Sequence, residues 1–158
     1  MEKPIIVCVD DQREVLASLR RDLDSFEPYC LIETCESADE VREVLADAQN
    51  MAHPVALLIC DHIMPEETGI DLLISLSRDG EWPHTKKMLL TGLATHQDTI
   101  TAINQAGIDR YVEKPWDSEI LNRVVRSLLT GFLMESGADY QPFLPILDQE
   151  VLYQALHK

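Results

Sequence analysis

The chain has 158 residues, 46% of them apolar, with 13 basic and 28 acidic side chains and a net charge of −15. That length suits one domain able to bury its own core without disulfide or metal staples, and so acidic a surface argues against direct binding to a nucleic-acid backbone. No apolar run is long enough to span a bilayer, and the opening Met1-Glu2-Lys3-Pro4 lacks the layout of a signal peptide, so a cytoplasmic protein without membrane contact is expected.

In chain order, Pro4 to Val9 is a first strand ending at Asp10-Asp11. From Gln12 to about Phe26, apolar residues at 15, 16, 19, 23 and 26 follow a helical period. Leu31 to Cys35 is a short second strand. Ser37 with Glu40 three residues on predicts a capping box, opening a helix with Val41, Val44, Leu45 and Ala48 on one face. Val55 to Cys60 is an apolar, partly β-branched run bounded by Pro54, which reads as a strand buried on both faces. Thr68 or Gly69 starts a helix through Leu76, and Lys87 to Thr91 is a fourth strand. Asp98 to Ala106 reads as a weakly apolar helix ended by Gly107, and Arg110 to Glu113 as a fifth strand stopped by Lys114-Pro115. Asp117 caps a helix with Ile120, Leu121, Val124, Val125, Leu128 and Leu129 facing inward. Cys8, Cys30, Cys35 and Cys60 match no zinc or redox spacing and read as reduced, structural thiols.

Strands alternating with helices predict a parallel sheet with helices on both faces. About five such units fit a flavodoxin-like (βα)5 sandwich with strand order 2-1-3-4-5. In that order, four neighbouring strands deliver polar groups to one edge: Asp10 and Asp11 after the first, Asp61 after the third, Thr91 after the fourth and Lys114 after the fifth. Each strand must end in something polar, but three carboxylates, a hydroxyl and an ammonium form a complementary set. Clustered carboxylates suit a hard divalent ion such as Mg²⁺. Such an ion, Lys114 and the Thr91 hydroxyl could hold the oxygens of an incoming phosphoryl group, and a carboxylate could be its nucleophile.

Asp10-Asp11, Asp61 followed by Met64-Pro65 and Gly69, Thr91-Gly92 and Lys114-Pro115, in this order, resemble the receiver domain of two-component response regulators. The likeness runs from about Ile5 to Leu129. It implies that Asp61 is the phospho-acceptor, with Thr91 and Lys114 completing the catalytic set. It also implies that Mg²⁺ (or Mn²⁺) is held by Asp10, Asp11, Asp61 and the carbonyl of Ile63. Thr91 and Tyr111 become the switch pair, and Pro115 follows a cis peptide bond. The implied partners are a sensor histidine kinase or phosphotransfer protein and a downstream output domain or protein, with a homodimer possible.

Ile63 and Leu93, each two residues past a site residue, are expected to flank the phosphoryl entrance and slow an attacking water. His62 is expected to point to solvent, Glu66-Glu67 to influence the choice of kinase, and Trp116 to pack at the start of the last helix. A division into a receiver domain over 1–132 and an extension over 133–158 is expected. In that extension, Tyr140 to Leu147, with Pro142 and Pro145, reads as an extended connector. Asp148 then caps a short helix whose apolar stripe should dock or self-associate. Two other readings fit less well. A haloacid-dehalogenase-like phosphohydrolase wants an acid at position 63, where Ile63 stands. A pseudo-receiver usually lacks one of the acids, the threonine or the lysine, and all are present here.

Overall fold

Five apolar runs form one parallel sheet: β1 (Ile5–Val9), β2 (Leu31–Cys35), β3 (Val55–Cys60), β4 (Lys86–Leu90) and β5 (Arg110–Val112). The computed structural model describes residues 2–92 and 96–158. The strand order is β2-β1-β3-β4-β5, the expected flavodoxin-like arrangement. Every residue of β1 and β3 is buried, as strands covered on both faces must be. Val9 stands opposite both Cys35 and Cys60, and Leu90 opposite Val112. The strands therefore finish nearly level, and the residues that follow them emerge along one edge.

The helices are α1 (Arg13–Asp22), α2 (Ala38–Asn50), α3 (Gly69–Asp79), α4 (His96–Thr101), α5 (Ser118–Ser136) and α6 (Gln149–Leu156). On one face of the sheet, α1 and α5 bury Leu16, Leu19, Leu121 and Val125 against Ile6, Leu57 and Ile59. On the other, α2 and α3 bury Val41, Leu45, Leu72 and Leu73 against Val7, Leu58 and Leu89. The capping residues act as their chemistry dictates. Ser37 Oγ accepts from the Glu40 amide, and Asp117 accepts from the amides of Glu119 and Ile120. The Glu40 carboxylate takes the Glu36 amide at 2.6 Å, one residue before the cap, so the reciprocal half of the box is displaced.

Four elements depart from the expectations. The first helix ends at Asp22, and Phe26 is buried from a separate 3₁₀ turn, Asp24–Phe26. The helix expected over 98–106 starts at His96 and passes after Thr101 into a π-helical turn, Ala102–Ala106. The Ala106 carbonyl accepts from Ser77 Oγ at 3.0 Å and Lys87 Nζ at 3.3 Å, so side chains satisfy a carbonyl that the end of the helix leaves without an intrahelical partner.

α5 continues past the expected division at 132 to Ser136 and ends at Gly137 with φ 73°. Lys86 packs over Gly131 in mid-helix, where a Cβ would come within 3.2 Å of Lys86 Cε. Lys86 Nζ then pairs with Glu135 at 2.7 Å. Lastly, the stretch read as an extended connector is a 3₁₀ helix, Gln141–Ile146. The fixed φ of Pro142 suits a first helical turn as well as an extended chain. Phe143, Ile146, Leu147 and Leu152 join the core beside Leu129, Phe132 and Leu133. The Asp148 amide donates to Thr130 Oγ1 at 2.9 Å, fixing the return of the chain along α5.

Candidate functional site

Backbone pairing carries the strand ladders one step beyond the sheet. The Asp10 amide donates to the Cys35 carbonyl at 3.1 Å, the Asp61 amide to Val9 at 3.0 Å and the Thr91 amide to Val112 at 3.2 Å. Asp10, Asp61 and Thr91 are held by the sheet itself and are almost fully buried, while Asp11 is exposed. Gly69 closes the floor. A Cβ there would overlap the Asp61 carbonyl oxygen and meet Cys60 Sγ at 2.8 Å, so only glycine lets α3 start this close to β3.

Asp10, Asp11 and Asp61 each place a carboxylate oxygen within 4.8 Å of the others. Lys114 Nζ stands 2.5 Å from Asp10 Oδ2 and 3.4 Å from Asp61 Oδ1. Burial pushes the Asp10 carboxyl above its usual range, and the Asp61 charge adds to this. Hydrogen bonds from Lys114 and from the Gln12 amide pull the other way without reversing it. One ammonium thus faces three acids. A hard divalent cation matches both the donor set and the charge deficit, and the residues present fit Mg²⁺ on that ground.

The remaining candidates are placed as follows. Tyr111 is half-buried, and its hydroxyl donates to the Thr91 carbonyl at 3.1 Å, linking the two expected switch residues. The Lys114–Pro115 peptide bond is cis. Gly92 lies against the Lys114 backbone, where a Cβ would come within 3.2 Å of the Lys114 carbonyl oxygen. Ile63 is 45% exposed beside Asp61; Leu93 lies outside the described residues. Trp116 donates from Nε1 to Asp22 at 2.7 Å, tying the start of α5 to the end of α1.

One expectation fails. His62 does not point to solvent: it is buried, with Nε2 3.4 Å from Asp98 of α4. Its Nδ1 has no hydrogen-bond partner among the described residues. Of the two loop glutamates, Glu66 is exposed and Glu67 accepts two hydrogen bonds of 2.7 and 2.6 Å from Arg42 of α2. Neither contact could be found from periodicity, because each joins elements far apart in the chain.

Residues 6–126 match the family described as response regulator receiver domain. The chain belongs to that family. This receiver domain is 34% identical over 149 residues to the hydrogenase transcriptional regulatory protein HoxA of Cupriavidus necator, an alignment covering 91% of this chain and 29% of that protein. That share exceeds residues 6–126, so the likeness to HoxA runs into the C-terminal extension. It is 29% identical to the transcriptional regulatory protein CpxR of Escherichia coli K12, over 78% of this chain and 48% of that one. The chain spans less than half the length of either regulator. Among solved structures, the signal receiver domain of an HD domain-containing protein from Pseudomonas fluorescens Pf-5 superimposes with a TM-score of 0.75 at 28% identity, covering 87% of this chain and 94% of that one. A response regulator receiver domain protein from Methanospirillum hungatei gives 0.71 at 28% identity, covering 85% and 99%.

Proposed function

We propose that this receiver domain is a phosphorylation switch in which Asp61 takes a phosphoryl group from the phosphohistidine of a sensor kinase or phosphotransfer protein. The observation carrying the reading is the single edge where Asp10, Asp11, Asp61 and Lys114 meet, with Lys114 Nζ in reach of both buried acids. An Asp61 carboxylate oxygen attacks phosphorus, the P–N bond breaks, and the leaving imidazole keeps the electron pair and takes up a proton. Mg²⁺ (or Mn²⁺), held by Asp10, Asp11, Asp61 and the Ile63 carbonyl, would supply positive charge to the phosphoryl oxygens.

Lys114 stands where it can leave Asp10 for the new phosphoryl oxygens, while the Thr91 hydroxyl donates to a third. Phosphorylation adds about −1.5 to −2 charges and strong acceptor oxygens. Drawing Thr91 toward them alters the carbonyl on which the Tyr111 hydroxyl rests, and so changes the surface around β5 that an output domain or protein would meet. The protein is then an acceptor that assists its own phosphotransfer and slow dephosphorylation, with exposed Ile63 shielding the acyl phosphate from water. A cytoplasmic location suits this role; among the described residues no helix is long and apolar enough to cross a membrane.

The test is intact mass after adding acetyl phosphate with and without Mg²⁺, beside Asp61→Asn. One phosphoryl gained only with Mg²⁺, and absent in the variant, supports the switch; size exclusion of both forms then asks whether it drives a homodimer. Intact Mg²⁺ binding without incorporation or phosphate release would make the chain a pseudo-receiver. Fast phosphate turnover without accumulation would make it a hydrolase.

A further inference from the structure

The loop between β3 and α3 begins at Asp61 and ends at Thr68, the N-cap of α3. It is not a relaxed turn. Glu66 has φ 71°, a left-handed conformation that a side chain disfavours, and the Glu67 amide donates to Pro65 only two residues back at 2.8 Å. Its two ends are anchored by the sheet and by the bond from the Gly69 amide to the His62 carbonyl at 2.8 Å. Among the described residues, the side-chain hydrogen bonds that tie 63–67 to another element are those that Arg42 donates to Glu67.

Arg42 is built for that grip. Its two terminal nitrogens take the two Glu67 oxygens in the parallel fork that a guanidinium offers and an ammonium does not. The Nη2 nitrogen also donates to Ser75 Oγ of α3 at 3.1 Å, and Nη1 lies 3.6 Å from Asp39 in the first turn of α2. The guanidinium therefore joins α2, the loop and α3 at one point. Its carboxylate partner is held ionised, below the ordinary glutamate range, chiefly by the hydrogen bonds from Arg42.

We propose that Arg42 is a positioning residue for the metal site, its fork on Glu67 holding the strained 62–68 loop so that the Ile63 carbonyl faces the Asp10, Asp11 and Asp61 oxygens. This rests on the reading of that cluster as a Mg²⁺ site. The pair lies outside the cluster of Asp10, Asp11 and Asp61, so it acts through the loop. Both side chains remain partly exposed, so the grip contributes to loop order far more than to global stability.

The experiment is Mg²⁺ titration by calorimetry on the full chain, with hydrogen exchange of the 62–68 amides and thermal melting of the metal-free protein. Arg42→Ala should weaken Mg²⁺ about tenfold, the scale typical of groups that orient a metal's ligands. It should also speed exchange in the loop while the metal-free melting temperature falls only slightly. Arg42→Lys should restore only part of the affinity, and the exchanged pair Arg42→Glu with Glu67→Arg should restore most of it. Unchanged Mg²⁺ affinity in Arg42→Ala overturns the proposal, as does a loss matched by a fall in metal-free stability with no local change in exchange. Failure of the wild-type chain to bind Mg²⁺ would instead overturn the metal-site reading itself.

Discussion

The sheet is finished in opposite ways at its two ends. At the carboxyl end three acids and a lysine crowd together, two of the acids buried, and a strained loop crosses beside them. At the amino end the chain returns on itself. Phe143 lies 6.4 Å from Tyr29 between ring centres, Lys86 pairs with Glu135, and Ile146, Leu147 and Leu152 seal the α1/α5 layer. Burying charge costs free energy, and burying apolar surface returns it. The C-terminal extension therefore adds apolar burial at the end of the sheet opposite the one where the acids are buried. Stability and function should then separate in space.

The strongest way to break that comparison is Phe143→Ala. It should cost about 3–5 kcal/mol in chemical denaturation while Mg²⁺ affinity stays within about twofold of wild type, since the two sites lie at opposite ends of the sheet. Loss of metal binding along with stability would show that the two ends are coupled. Next in size is Asp148→Ala, which removes the cap on the Glu150 and Val151 amides. A loss of about 1 kcal/mol is expected, again without effect at the acids.

A smaller effect concerns acid. The Glu67 carboxyl is held below its ordinary range, so the stabilisation it brings is complete above the unfolded glutamate value and fades as pH falls through the depressed folded one. The melting temperature of wild type minus that of Arg42→Ala, small at neutral pH, should therefore shrink toward zero as pH falls below 4.5, the ordinary glutamate value. A difference already gone above that value would contradict the pairing. The least stability change is expected at the functional end. Asp11→Ala should leave the metal-free unfolding free energy within about 0.5 kcal/mol of wild type yet abolish the rise in melting temperature that Mg²⁺ produces. A marked destabilisation of the metal-free protein would mean that Asp11 is structural.

Much of this was legible before the fold was known. The apolar runs of β1, β3 and β4 specify buried parallel strands, and strand order alone brings Asp10, Asp61, Thr91 and Lys114 to one edge. What escaped reading were the places where one element answers another. Lys86 passes over Gly131, Ser77 and Lys87 reach the Ala106 carbonyl, and Arg42 meets Glu67, each joining elements far apart in the chain. His62 reads as a surface residue from its neighbours, yet the approach of α4 buries it against Asp98. Local pattern carries no information about such meetings, because each is fixed only once the layers are packed.

The most direct test of the central claim asks which atom carries the phosphoryl group. Borohydride reduction of the phosphorylated chain converts an acyl phosphate to an alcohol, and peptide mass mapping locates it. The account predicts homoserine at position 61 and nowhere else. Homoserine at position 10 or 11, or a borohydride-resistant phosphate on His62, would contradict it.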